Sequence, residues 1–160
     1  ITFQGMQGQL WSETVRTDRH ASYMIFPRLY ALAERAWHQA DWEVPYNYAG
    51  VNYDSESGIF TELQKNQQHE DWIRFANLLS SKILPAAERV ELFYRLPTPG
   101  AVINKGVLKM NSLYPGLSLE YRQTNGEWRI YQKPIAVTGE IEVRTVSKDG
   151  KRKGRSLFLE

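Results

Sequence analysis

Apolar residues in the first half of the chain recur at the three- and four-residue spacing of amphipathic helices. Residues 16–20 are polar and predict a loop. A helix is predicted to follow, with Pro27 near its first turn, where the missing amide hydrogen costs little. The apolar face of this helix would consist of Leu29, Leu32, Ala33, Ala36 and Trp37.

A second helix is predicted over residues 68–84. Glu70 and Asp71 would lie in its first turn, where negative charge suits the helix dipole, and Pro85 would stop it. Its apolar stripe would be Trp72, Phe75, Leu79 and Ile83. Between the two helices, residues 39–58 are rich in Tyr, Asn, Asp, Gly and Ser and predict an irregular loop.

After Val90 the apolar pattern changes to the two-residue period of β-strands. Turn signals, among them Asn125-Gly126 and Asp149-Gly150, separate the alternating segments. Short strands are predicted at residues 91–96, 106–110, 117–123, 127–131, 140–145 and 155–159. Helices followed by short strands predict an α+β fold that ends in a reduced, immunoglobulin-like antiparallel β-sandwich. We place the domain boundary after residue 88, so that residues 1–88 form the helical part and residues 89–160 the sandwich.

The opening segment, residues 1–11, mixes apolar residues with Gln and Gly and predicts a strand with a closely packed end. The sequence Phe3-Gln4-Gly5 also resembles the remnant of a protease site, so the first residues are either native or a cloning scar. Because Ile1 rather than Met begins this apolar stretch, we expect the chain to be a piece of something larger.

Composition narrows the classes of protein. The 160 residues carry 20 Lys and Arg against 18 Asp and Glu, and this near balance argues against a dedicated nucleic-acid binder. The absence of Cys excludes disulfides, thiolate metal sites and a cysteine nucleophile. No apolar run reaches the ~20 residues that a membrane span needs, and no signal peptide opens the chain.

The sequence offers few groups for metal, cofactor or nucleotide chemistry. His20, His38 and His69 are far apart in the chain and predict no metal site, and we expect no cofactor. No phosphate-binding loop and no nucleophile-elbow motif occurs. The basic run at residues 148–155 could form an anionic-surface patch, but its Asp-Gly pair favours the solvated tip of a hairpin.

Trp11 and Glu13 form the most informative pair. On an extended segment, residues two apart lie on one face, so an indole and a carboxylate would be presented together. That combination suits a sugar, because the ring stacks on C–H groups and the carboxylate accepts hydroxyl hydrogen bonds. Taken by itself, the pair is more typical of a buried Trp beside a surface Glu.

Four segments together are more specific than this pair. In order they are residues 5–13 (GMQGQLWSE), 23–37 (YMIFPRLYALAERAW), 71–79 (DWIRFANLL) and 94–101 (YRLPTPGA). The first two resemble the end of the catalytic barrel of family 20 glycoside hydrolases, the β-N-acetylhexosaminidases, with the bacterial chitobiases most similar in these motifs. The likeness continues through the third segment, residues 71–79. The last resembles the entry to the chitobiase C-terminal sandwich. The likeness covers nearly the whole chain.

The resemblance implies that the first part is the end of a (β/α)8 barrel. Trp11 would pack against the non-reducing N-acetylhexosamine, and Glu13 would accept hydrogen bonds from its 4- and 6-hydroxyls. The family mechanism is retaining and substrate-assisted: the acetamido oxygen attacks the anomeric carbon while a Glu acts as general acid beside an orienting Asp. No Asp-Glu dipeptide occurs in this chain, so it would hold no catalytic residue and would be inactive alone.

A barrel remnant of this kind leaves helix faces without their usual partners. We expect a folded sandwich over residues 90–160 and a helical first part whose apolar stripes are covered by the sandwich, covered by a second copy in a homodimer, or left partly exposed. The resemblance further implies a periplasmic, outer-membrane-associated or secreted enzyme acting on N-acetylglucosamine-containing oligosaccharides. The alternative is a non-catalytic sandwich module that binds carbohydrate or protein.

Overall fold

A computed structural model describes residues 5–45, 49–50 and 57–160. Helices fill the first part of the chain: α1 (Asp18–Ile25), α2 (Arg28–Trp37), α3 (Glu62–Leu78) and α4 (Leu84–Arg89). The helix predicted after Pro27 is confirmed as α2, with Pro27 as its N-cap. The predicted polar loop at residues 16–20 is wrong in part, because Thr17 caps α1 by accepting a hydrogen bond from the His20 amide.

The second predicted helix begins earlier and runs further than its apolar stripe indicated. Thr61 and Gln64 form a capping box that starts α3 at Glu62. Pro85 does not stop the helix. A π-helical turn at Leu79–Ile83 joins α3 to α4, and Pro85 lies in the first turn of α4, where its missing amide hydrogen is tolerated.

The second part is a sandwich of two antiparallel sheets. One sheet has the order β1-β2-β5 and the other the order β4-β3-β6-β7. The strands are β1 (Gly100–Asn104), β2 (Val107–Asn111), β3 (Ser118–Gln123), β4 (Arg129–Ile130), β5 (Ile135–Ala136), β6 (Ile141–Val146) and β7 (Leu157–Leu159). The predicted α+β class and the antiparallel sandwich are therefore confirmed.

The prediction missed two strands, β1 and β5, and one strand that it did predict, at residues 91–96, is wrong. β1 and β2 pair through the two-residue turn Lys105-Gly106, in which both residues have positive φ. In the segment predicted as a strand at 91–96, residue 91 lies in a turn and residues 92–96 have no regular secondary structure, and the Arg95 amide donates to the Phe26 carbonyl of the helical part. Glu91, at φ 58°, belongs to the turn that follows α4.

The predicted N-terminal strand is also wrong over residues 5–12, which have no regular secondary structure. Residues 1–4 lie outside the described part. A strand needs a neighbour to pair its amide and carbonyl groups, and none of the strands among the described residues pairs with this segment. In the predicted irregular loop at 39–58, the residues that the structure describes contain no helix or strand, and residues 46–48 and 51–56 lie outside the description.

Two apolar cores hold the molecule together. One lies between the sheets and is centred on Leu108, Ile141 and Val143. The other joins helices to sandwich: Leu79, Leu84 and Ala87 pack with Tyr94 and Leu96. The helix stripes are thus covered in part by the chain's own C-terminal half.

Other positions on the helix faces remain open to solvent. Trp37 is 91% exposed and Trp72 is 40% exposed. This mixture of covered and exposed apolar residues is one of the outcomes expected for a barrel remnant. In the described parts of the chain, no helix has the length and apolar character required to cross a bilayer.

Candidate functional site

Trp11 and Glu13 lie together on one short, exposed segment that leads into α1. The indole of Trp11 is 77% exposed, and the amide of Val15 donates to the carbonyl of Ser12 at 3.0 Å, which closes a turn around Glu13. The segment packs closely on α2 just before this point, since a Cβ at Gly8 would lie 2.7 Å from Cδ2 of Leu32. The structure therefore brings both predicted site residues to the surface, but not onto the strand that the prediction assumed.

The carboxylate of Asp71 is buried where α2 meets α3, and the role predicted for it from the sequence is wrong. Asp71 lies in the middle of α3, not in its first turn, so the helix dipole does not explain it. Its Oδ1 accepts from Arg74 at 2.9 Å, and its Oδ2 accepts from the Trp42 indole at 3.1 Å and from Arg35 at 3.3 Å. The ring of His38 lies 3.5 Å from the same oxygen.

These partners set the charge state of Asp71. The hydrogen bond from Arg74 lowers the pKa of the Asp71 carboxyl most, partial burial opposes it, and Trp42, His38 and Arg35 lower it further. An ionised, fully partnered carboxylate of this kind holds elements together and is unsuited to donate a proton. The three-residue spacing of Asp71 and Arg74 on one helix is a sequence signal for their contact. Arg35, His38 and Trp42 belong to a distant segment, so no local spacing points to their contacts with Asp71.

The described residues contain no cluster of three His, Asp or Glu side chains that could hold a metal ion. The three histidines lie apart: His20 in the first turn of α1, His38 at the end of α2, and His69 on the exposed side of α3.

A cleft of about 560 Å³ lies where the helices meet the sandwich. Trp72 and Tyr114 form an aromatic pair on its wall, with ring centroids 6.4 Å apart, and Arg28, Arg95 and Asn111 also line it. Aromatic faces beside guanidinium and amide groups are the kind of lining that fits a polar ligand with apolar C–H faces. Neither Trp11 nor Glu13 lines this cleft.

The basic run at residues 148–155 forms the predicted hairpin tip between β6 and β7. The Gly150 amide donates to Ser147, and Lys148 and Lys151 are exposed. One member departs from the prediction, because Arg152 turns inward and stacks on Tyr94 with its guanidinium carbon 3.9 Å from the ring centroid.

Two family models match separate parts of the chain. Residues 2–40 match the glycosyl hydrolase family 20 catalytic domain, and residues 84–156 match the chitobiase/beta-hexosaminidase C-terminal domain. These matches confirm the resemblance to the family 20 glycoside hydrolases. Residues 2–40, which include Trp11 and Glu13, are thus similar to a segment of the family 20 catalytic domain, and residues 84–156 are similar to the chitobiase-type C-terminal domain.

Individual relatives agree with the two family matches. N,N'-diacetylchitobiase of Vibrio harveyi is 43% identical over 155 residues, which make up 96% of this chain and 17% of that protein. Beta-hexosaminidase of Vibrio vulnificus is 38% identical over 163 residues, covering 97% of this chain and 19% of that protein. The chain thus spans less than a fifth of the length of either relative. The domain boundary at 88/89 stays a prediction; α4 ends at Arg89.

Proposed function

We propose that this chain is the C-terminal segment of a chitobiase-like exo-β-N-acetylhexosaminidase. That enzyme hydrolyses terminal N-acetylglucosamine from chitin oligosaccharides by the retaining, substrate-assisted mechanism of its family. The observation that carries the proposal is the order of the two family matches within one chain: catalytic-domain residues first, the C-terminal domain after them.

In this proposal Trp11 and Glu13 belong to the sugar pocket. The exposed indole of Trp11 offers an apolar face to the ring of the terminal sugar, and the Glu13 carboxylate accepts hydrogen bonds from the 4- and 6-hydroxyls. Both side chains are exposed in this chain, which supports the proposal because neither is packed into the core. The orienting Asp and the acid Glu are supplied by other residues of the enzyme, as the 160 residues contain no Asp-Glu dipeptide.

A chromogenic N-acetyl-β-glucosaminide tests both halves of the proposal. The isolated chain is expected to show no turnover. In the enzyme that contains this segment, Glu13→Gln is expected to lower kcat/KM about tenfold to a hundredfold, the range for a lost hydrogen bond to a charged group. Glu127→Gln changes an exposed carboxylate in the sandwich and serves as the matched control. Turnover by the isolated chain, or equal activity of the two variants, would contradict the proposal.

A second candidate function is carbohydrate binding without catalysis, and the cleft beside Trp72 and Tyr114 favours it. If this cleft holds a sugar, titration of the chain with N-acetylglucosamine changes the Trp fluorescence saturably. Trp72→Ala would abolish the change, and Trp11→Ala would leave it intact. The opposite pattern assigns sugar binding to the segment around Trp11.

Two further expectations rest on the same resemblance. We propose that the enzyme acts in the periplasm, at the outer membrane or as a secreted protein. We also propose that the isolated chain forms a homodimer through its exposed helix faces, on which Trp37 and Leu63 are open to solvent. Sedimentation at two concentrations tests the homodimer; a monomer at both would contradict it.

A further inference from the structure

The hairpin between β6 and β7 places one cation in an unusual environment. The guanidinium carbon of Arg152 lies 3.9 Å from the ring centroid of Tyr94 and 4.6 Å from that of Phe93, and the group donates to the Tyr94 carbonyl. Its Nε is buried and has no hydrogen-bond partner among the described residues. Burial lowers the pKa of Arg152 most; Tyr94 and Glu88 raise it, and the charge of Arg19 lowers it.

Arg152 lacks the close carboxylate that a half-buried cation usually has. Its neighbours Lys151 and Lys153 reach Asp149 at 3.9 Å and Glu120 at 3.7 Å, whereas Arg152 makes no ion pair in the described part of the chain. Glu88 and Asp149 act on it only at longer range. The positive charge here is therefore incompletely compensated.

A second guanidinium contacts the same aromatic ring. Arg19, in the first turn of α1, lies 4.0 Å from the centroid of Phe93, and Tyr23 stacks on that ring at 5.8 Å. Arg19 is exposed and makes no ion pair with any described residue. The Phe93 ring thus contacts one cation from α1 and one from the hairpin between β6 and β7.

The two guanidiniums lie in a cleft of about 260 Å³. The basic residues that line it are Arg19, Lys151, Arg152, Lys153 and Arg155, and none of its lining residues is acidic. The hairpin backbone holds these cations in place, because the Ser147 amide donates to the Arg152 carbonyl and the Gly154 amide to the Thr145 carbonyl. A recess lined by one sign of charge concentrates positive potential.

We propose that this cleft binds an anion of the phosphate or sulfate class. Planar guanidiniums donate paired hydrogen bonds to the oxygens of such groups, and a divalent anion compensates more of the excess charge than a carboxylate does. The proposal does not depend on the proposed hydrolase activity, since it uses neither Trp11 nor Glu13.

Calorimetric titration of the full chain with sodium sulfate tests the proposal, with sodium chloride holding the ionic strength constant. Saturable binding is expected, and Arg19→Gln should weaken it at least tenfold. Lys151→Gln, which changes another exposed cation of the cleft, should also weaken it. Lys133→Gln, at an exposed lysine outside the cleft, is the matched control and should leave binding unchanged.

Several results would overturn the assignment. They are the absence of saturable heat, equal binding by the Arg19→Gln variant, and a loss in the Lys133→Gln control as large as in the cleft variants. Titration at pH 8 with N-acetylglucosamine 6-phosphate, whose monoester is mainly a dianion like inorganic phosphate, separates two sources of the anion. Binding equal to that of inorganic phosphate shows recognition of the free group alone, and tighter binding shows recognition of a sugar ester. Both outcomes support the cleft.

Discussion

The Nη2 atom of Arg35 lies 3.3 Å from Oδ2 of Asp71, and this ion pair joins α2 to α3. It lies on the side of the helical layer where Trp42 and His38 also contact the carboxylate. This ion pair holds α2 and α3 to each other, in addition to the apolar core that both helices share with the sandwich.

Replacing Asp71 with Asn should destabilise the chain. The change removes a buried charge that accepts three hydrogen bonds, and we expect the free energy of unfolding to fall by about 1–3 kcal/mol. The value stays modest because Arg35 and Arg74 are themselves partly exposed and therefore screened by water. Urea unfolding at pH 7 measures the change. Glu127→Gln, at an exposed position, should stay within about 0.5 kcal/mol, and an equal loss in both variants would refute the role of Asp71.

The same carboxylate predicts a dependence on acid. Because the pKa of Asp71 is lower in the folded than in the unfolded chain, its contribution is complete above the unfolded value of about 3.9. It is lost as the pH falls through that value towards the folded pKa. Unfolding curves from pH 7 to pH 2.5 should therefore show the gap between the native chain and Asp71→Asn shrinking. A gap that stays constant across this range would contradict the prediction.

Tyr94 predicts a dependence on alkali. Its hydroxyl donates to Glu88, and burial together with that bond raises the pKa of the phenol well above its usual value of about 10. The native state therefore keeps the proton while the unfolded chain loses it, so stability should decline as the pH rises above about 10. Tyr94→Phe should cost about 1 kcal/mol at neutral pH and decline less steeply in alkali. Tyr121→Phe is the comparison, since no hydrogen bond of its hydroxyl is seen within the described residues; equal slopes would contradict the assignment.

The sandwich core should be sensitive to a single truncation. Leu108 on β2 is fully buried between the sheets, and Leu108→Ala should lower the free energy of unfolding by about 2–5 kcal/mol. Val102→Ala, on the neighbouring strand β1 but facing solvent, should change it by less than about 0.5 kcal/mol. Chemical unfolding of the pair measures the difference. Similar losses at the two positions would mean that the sheets do not pack as described.

Local patterns predicted the elements whose stabilising contacts are local or repeated. The helix α2 follows from its apolar spacing, and β2, β3, β6 and β7 follow from alternation bounded by turn residues. The site residues Trp11 and Glu13 were recognised from a motif, and their role in sugar binding remains a prediction. Their exposure could not be foreseen, because it depends on what the surrounding chain fails to cover.

Errors arose where distant segments decide the outcome. In the strand predicted at 91–96, Tyr94 and Leu96 are buried at alternate positions, but the segment pairs with none of the described strands, and the Arg95 amide donates to the Phe26 carbonyl. Pro85 was predicted to end the helix, but a π-helical turn precedes it and places it in the first turn of α4, where its missing amide hydrogen is tolerated.

The sequence by itself determined that helices precede an antiparallel sandwich, because side-chain periodicity is a local property, and its motifs indicated relatedness to the family 20 glycoside hydrolases. Only the tertiary structure decided which charges meet. Asp71 accepts hydrogen bonds from Arg35 and Trp42, and Arg152 contacts Phe93, across long stretches of chain. Such contacts depend on how whole elements pack, and no spacing within one element encodes them.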